Sequence, residues 1–404
     1  MDRPKVSVVI PTYNRAYWVT EALESALKQT VPPSQVIVVN DGSTDNTREV
    51  LEPYRSRIEY LEQPNSGKAR ALNLGLARVT GDYVWMLDDD DMAFPELLER
   101  HLKVLEADKE IGFTYSGRVD VRSRAGDKAF EVIGLRDVPD VPEDEVLPRL
   151  MEGDFMLFQG AVMRTACLRQ VGPFDERLRL CEDYDMAIRL VRTFRCAHVS
   201  GPTFYFRRHT GVRGSAKDPI TQEAYRKRQQ VFFNAIFLPL RKELSLRDYL
   251  PRPLNGKQLE LVDERRACLQ RMGIMASKGL LEEMLEDIRL ALGDGSDRRP
   301  LSSAEQRSAW IAMGTNDHDD ILYAGPQFLQ RIRALCKGEV GHQLHYEFTR
   351  GLFWRFLRAL RDGEYSFALR LVRCAWWFVG LRKAASFTWE WSKGKIVLPR
   401  RRED

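Results

Sequence analysis

The stretch YVWMLDDDDMAFP, residues 83–95, stacks Asp88, Asp89, Asp90 and Asp91 directly after an apolar run. Four adjacent carboxylates repel one another, so something must sit against them. They suit a hard divalent cation. Magnesium and manganese prefer oxygen ligands and often hold one or two carboxylates together with substrate phosphates. The same run also suits a solvated acidic turn, or the start of a helix, where negative charge is favoured. Two other clusters pose a similar choice. In NDGSTDNT, Asp41 either belongs to a glycine turn ahead of a capped helix or hydrogen-bonds a ligand. In LCEDYDMAIRL, Glu182 and Asp183 open a helix whose apolar side is Met186, Ile188, Leu190 and Val191. Acids in a first turn are common. A carboxylate near a metal could instead accept a proton from a hydroxyl nucleophile.

The elements that must position these groups alternate along the first two hundred residues. KVSVVIPTYN and SQVIVVN read as buried β-branched strands, RIEYLEQ as a third strand and DYVWML as a fourth. AYWVTEALESALKQT, TREVLEPY, GKARALNLGLARV and FPELLERHLKVLEA read as helices, with Pro95 tolerated near a helix start. This alternation predicts an α/β fold with a mostly parallel sheet covered on both faces. Ligands of such sheets bind beyond the carboxyl ends of the strands. PTYN, NDGSTD and LDDDD all fall at those ends, so the topology brings them to one edge.

Six segments in chain order carry a resemblance: VSVVIPTYNR, VIVVNDGSTDNT, NSGKARALNLGL, GDYVWMLDDDD, GPFDERLRLCEDYDMAIRL and FRRHTG. Together they resemble the family 2 glycosyltransferases of GT-A fold, from Pro4 to about Ser215. The resemblance implies a catalytic domain over residues 1–215. It also implies metal-dependent, inverting transfer of a sugar from a nucleotide-sugar donor, foremost a UDP-sugar, to a hydroxyl of a glycan or lipid-linked acceptor. By that resemblance Pro11 and Tyr13 in PTYN and Asp41 in NDGS belong to the nucleotide site, with Tyr13 and Asp41 at the base. Lys68 and Arg70 in SGKAR form a basic stretch near the nucleotide. Asp88 and Asp90 are the outer members of a DxD motif. Asp88 faces ribose or metal, Asp89 contributes to the ribose, and Asp90 coordinates Mn2+ or Mg2+ directly. Asp183 is the catalytic base, and Asp91 and Glu182 complete the acidic clusters. His209 falls where relatives place a residue near the diphosphate or metal, although a histidine between arginines also reads as structural. Sugar transfer to a polyprenyl phosphate and a non-catalytic protein of the same fold that binds a glycan or a partner are the alternatives.

Composition bounds the rest. The 404 residues allow two domains, and 44% hydrophobic residues allow a sizeable core. The net charge of +4 argues against a nucleic-acid partner. None of the six cysteines forms a CxxC pair, and nothing at the N-terminus resembles a signal peptide, so the expected setting is reducing cytoplasm. No apolar run approaches the ~20 residues of a membrane span.

From about Lys217 the β-branched runs vanish, which predicts an all-α region over residues 216–404. The spacing SSAEQ predicts a capping box from Ser302 to Glu305. His342 and His345 in HQLH lack a third ligand and read as surface histidines rather than a zinc site. The segment from about 364 interleaves Trp376, Trp377, Trp389 and Trp391 with Arg370, Arg373, Arg382, Lys383, Lys393 and Lys395. That pattern suits either a peripheral anchor on a membrane surface or a helix packed with its aromatics inward.

Overall fold

Val and Ile run together where a strand is covered on both faces, and such runs build the centre of the sheet. The computed structural model describes residues 4–123, 129–138, 140–208, 222–251, 261–314 and 324–379. In chain order the first part contains β1 (Val6–Thr12), α1 (Val19–Leu27), β2 (Gln35–Asn40), α2 (Thr47–Leu51), β3 (Glu59–Glu62), α3 (Lys68–Leu76), β4 (Tyr83–Met86), β5 (Met92–Ala93) and α4 (Leu97–Ala107). There follow β6 (Ile111–Arg122), β7 (Glu131–Arg136), α5 (Val146–Glu152), β8 (Ala161–Arg164), α6 (Thr165–Val171), α7 (Glu182–Thr193) and β9 (Arg195–Arg208). The strand order is β3-β2-β1-β4-β8-β6-β9-β5, with β7 paired to β6.

The expected parallel arrangement holds for β3, β2, β1 and β4. Beyond β4 the sheet is mixed. β8 runs antiparallel to β4 and β6, β7 to β6, and β5 to β9, while β6 and β9 are parallel. The stretch 118–160 contains the end of β6, its partner β7 and the helix α5.

Side chains of β1, β2 and β4 alternate between two covered faces. Val8, Ile10, Val36, Val38 and Trp85 pack with Val19, Leu23 and Ala26 of α1 and with Leu98, Leu102 and Leu105 of α4. On the other face α3 lies so close that a Cβ at Gly75 would meet Val9 at 2.5 Å, which explains a glycine inside that helix. Pro11 is tolerated within a central strand because pairing to β4 ends at Val9, two residues earlier.

The chain divides into two compact units. Residues 1–150 and 154–232 form the first, and 151–153 with 233–404 the second. The boundary expected at 215/216 lies outside the described residues. The second unit is helical throughout its described residues. It contains the last part of α8 (Gln222–Glu243), then α9 (Leu261–Ser277), α10 (Leu281–Leu292), α11 (Ser303–Gly314), α12 (Gly325–Leu335), α13 (Gly338–Arg361) and α14 (Tyr365–Val379). Leu269, Met272, Leu285, Ile288, Met313, Ile332, Phe348 and Phe378 form its core. Buried Asp287 pairs with Arg241 at 2.6 Å and Arg271 at 2.7 Å. The capping box is present: Glu305 accepts from the Ser302 N–H at 2.7 Å, and the Glu305 N–H donates to Ser302 Oγ at 3.4 Å. His342 is exposed as expected, whereas His345 stacks on Phe378 at 4.4 Å and bonds its carbonyl at 3.2 Å. It is half-buried because α14 covers it. No helix among the described residues is long and apolar enough to cross a membrane.

Candidate active site

Parallel register brings the three polar clusters to one edge. Thr12 pairs with Asn40 and Val9 with Met86, so Tyr13, Asp41 and Asp88 follow strand ends side by side. The loops are then stitched together by their own side chains. Asn14 Oδ1 accepts the Thr44 N–H at 2.7 Å, and Ser43 Oγ accepts the Asn14 N–H at 2.9 Å. Asp41 is buried and accepts three hydrogen bonds, from Gln63 at 2.7 Å and from the backbone of Ser66 and Gly67 at 2.8 Å each. It therefore anchors the loop that leads into α3. Gly67 takes φ +97, and a Cβ there would meet Arg179 Nη1 at 2.5 Å.

Each of the four aspartates has its own neighbour. Lys68 Nζ lies 2.7 Å from Asp88 Oδ1, and Gln159 Nε2 donates to Asp88 Oδ2 at 2.5 Å. The Tyr13 N–H donates to Asp89 at 3.2 Å. Arg15 stands 3.8 Å from Asp90. Asp91 is buried, accepts the Arg207 N–H at 2.8 Å through Oδ1, and has no partner among the described residues at Oδ2. Arg207 also donates from Nε to the Asp90 carbonyl at 2.8 Å. These cations and donors offset part of the repulsion. Burial first, and then the charge of Asp90, push Asp89 up to about 8 and raise Asp91 well above the usual carboxylate range.

The second acidic cluster meets the first through Lys68, whose Nζ lies 3.7 Å from Glu182 Oε1. Glu182 is buried, and burial together with neighbouring Asp183 pushes it up to about 7. Burial disfavours the Lys68 ammonium, but Asp88, Glu182 and Asp183 outweigh it and raise its pKa well above the usual value. Asp183 is half-buried in the first turn of α7, with Oδ1 accepting the Tyr184 N–H at 2.8 Å. Cys181 enters that helix at φ 65, a left-handed conformation that costs a non-glycine residue about 1–2 kcal/mol. Such strain concentrates at functional sites.

Asp88, Asp90 and Asp91 each bring a carboxylate oxygen within 4.8 Å of the others. Together with the orphaned Oδ2 of Asp91, this oxygen-only set fits a hard divalent cation. Arg70 takes no part in it. The residue two positions along a helix points about 200° away, and Arg70 is exposed while Lys68 faces the carboxylates. His209 lies outside the described residues. Sequence reading missed Gln159, Arg15 and Arg207. A polar residue inside an apolar run, as in MLFQGAV and FYFRRH, was the available signal, because a buried polar group needs a partner.

Residues 7–165 match the family model described as Glycosyl transferase family 2. Over this segment the chain is similar to the family 2 glycosyltransferases. An uncharacterized glycosyltransferase of Rickettsia typhi is 31% identical to this chain over 193 residues, 47% of this chain and 59% of that one. Chondroitin synthase of Pasteurella multocida is 30% identical over 200 residues, 49% of this chain and 20% of that one. The match thus spans less than two thirds of either relative. TarS of S. aureus is similar at 20% identity, covering 85% of this chain and 53% of that one, with a TM-score of 0.43. At that score the likeness has no bearing on the site.

Proposed function

We propose that this chain is a metal-dependent inverting glycosyltransferase. It takes a sugar from a nucleotide-diphosphate donor, foremost a UDP-sugar, and passes it to a hydroxyl of a glycan or lipid-linked acceptor. One observation carries this reading. The Asp88, Asp90 and Asp91 carboxylates gather at the strand edge of a family 2 domain, joined through Lys68 to the acidic start of α7. Asp90 and Asp91 would hold Mn2+ or Mg2+, since Asp88 is already engaged by Lys68 and Gln159. The cation, when bound, offsets the charge that grows on the departing nucleoside diphosphate.

The chain's own groups do the rest. Tyr13 and Asp41 border the base, with Asp41 also keeping the following loop in place. Lys68 positions Asp88 and faces the anionic donor. Asp183, at the mouth of α7, accepts the proton of the acceptor hydroxyl as that oxygen attacks the anomeric carbon, and a single displacement inverts it. What supports this role is that Lys68 and Asp88 both feel the charge of Asp183. The test is donor hydrolysis by the full chain across nucleotide-sugars, with and without Mn2+ or Mg2+. Metal-dependent release of nucleoside diphosphate supports the reading, and no release from any donor rejects it.

A membrane surface is the second proposed partner. α14 exposes Tyr365, Leu369 and Val372 at helical spacing on one side, beside the basic segment whose tryptophans Trp389 and Trp391 lie outside the described residues. This supports peripheral contact with a lipid surface. Sedimentation with anionic vesicles should therefore weaken with salt.

A further inference from the structure

A second charged cluster stands on β6, β7 and β9, apart from the aspartates. Asp120 is buried at 6% side-chain exposure and receives three arginines. Arg118 Nε lies 2.8 Å from Oδ1, Arg136 Nε 2.8 Å from Oδ2, and Arg208 Nη2 3.3 Å from Oδ2. One carboxylate against three guanidiniums leaves two positive charges without a counter-charge among the described residues. The arrangement is built rather than incidental. The guanidiniums of Arg118 and Arg208 both lie over the Phe206 ring, at 4.8 and 4.7 Å from its centroid, which fixes their planes. Burial and the like charges of Arg118 and Arg136 lower the Arg208 pKa even with Asp120 beside it.

Like charges gathered this closely disfavour one another, and a purely structural carboxylate would be satisfied by fewer. Arg118 and Arg136 use only Nε on Asp120, so their Nη groups have no acceptor among the described residues. Arg136 is 57% and Arg208 41% exposed, which leaves the cluster open to a solute. It also begins next to the catalytic edge, since Arg208 follows Arg207, whose backbone N–H and Nε hold Asp91 and Asp90. Planar guanidinium forks match the paired oxygens of phosphate and carboxylate.

We propose that Arg118, Arg136 and Arg208 dock an anionic group, phosphate or carboxylate, carried by the acceptor. This rests on the transferase reading for the word acceptor, but the anion site itself stands on the geometry. The acceptor is then a charged polymer or conjugate rather than a neutral glycan, and Asp120 serves to align the arginines.

The experiment uses the full chain saturated with UDP and Mn2+, so that the donor site is filled. Binding is measured to poly(glycerol phosphate), to oligogalacturonate and to neutral dextran. One or both polyanions should bind, dextran should not, and the affinity should fall with salt. Which polyanion binds tells phosphate from carboxylate. Arg136→Gln and Arg208→Gln should each weaken that binding roughly tenfold, with UDP affinity and melting temperature close to the parent's. Polyanions that bind no better than dextran overturn the proposal, as does a double variant with parental affinity. Loss of UDP affinity in the variants also overturns it, by assigning the cluster to the donor. Donor hydrolysis is scored separately in the same preparation. A chain that binds polyanions but hydrolyses no nucleotide-sugar keeps the anion site and rejects the transferase reading, and the converse result rejects the anion site alone.

Discussion

Lys68 Nζ lies 2.7 Å from Asp88 Oδ1, and the same nitrogen is 3.7 Å from Glu182 Oε1. One ammonium thus joins two acidic clusters that the chain separates by nearly a hundred residues. Lys68→Met keeps the aliphatic stem and removes the charge. Without it, Asp88 and Glu182 face each other unscreened, and both favour protonation. Affinity for UDP with Mn2+ should fall roughly tenfold, with Lys68→Arg retaining more of it. Calorimetric titration of the two variants beside the parent checks this, and parental affinity in Lys68→Met would reduce the contact to a surface pair.

Asp90→Ala should remove most transfer and weaken metal-dependent binding of UDP by about 10–100-fold. Metal-free binding of UDP should change little, because Asp90 acts through the cation. Titrations with and without Mn2+ separate the two. An Asp90→Ala chain in which Mn2+ still strengthens UDP binding as in the parent would move the metal to Asp88 and Asp91.

Asp183→Asn preserves size and most hydrogen bonding but cannot accept a proton at neutral pH. Single-turnover transfer at saturating donor should slow by about 10²–10⁴-fold, while binding of UDP and metal stays near parental. Near-parental turnover would mean that the base is another residue. A defect confined to donor binding would place Asp183 in the donor site.

Glu182 gives a pH signature in stability. Its folded-state pKa is raised to about 7 from an ordinary 4.5, chiefly by burial. Between those values the folded chain holds a proton that the unfolded chain has released. Its contribution is fully present below about pH 4.5 and is lost as pH rises through about 7. Glu182→Gln stays neutral and avoids that loss. From pH 5 to pH 8, without metal or nucleotide, the variant's melting temperature should decline less than the parent's. Parallel declines in the two chains would show that the carboxyl titrates in its ordinary range.

Much of the first unit was legible because its signals are local. Short β-branched runs such as VSVVI and VIVV favour strands covered on both faces, and once they are parallel their ends converge. The convergence of PTYN, NDGSTD and LDDDD follows from that rule alone. The capping box of Ser302 and Glu305 was likewise readable, since both partners lie within one helical turn. The direction of β8 and β6 was not, because nothing inside a strand records the orientation of its neighbour. The long excursion from Arg118 to Gly160 concealed a strand pair and a helix.

The site divides along the same line. The sequence by itself determined that carboxylates gather at the strand edge and that Asp183 opens a helix, because residue type and spacing are properties of the chain. Only the tertiary structure decided what stands against each carboxylate. Gln159 reaches Asp88, Arg207 holds Asp90 and Asp91, and Arg70 turns away from the cluster that Lys68 enters. The same is true of the three arginines on Asp120, which come from β6, β7 and β9. The physical reason is that pairing energy falls steeply with distance and rises with burial. Both are set by how distant strands register on one another, and no segment carries that information alone.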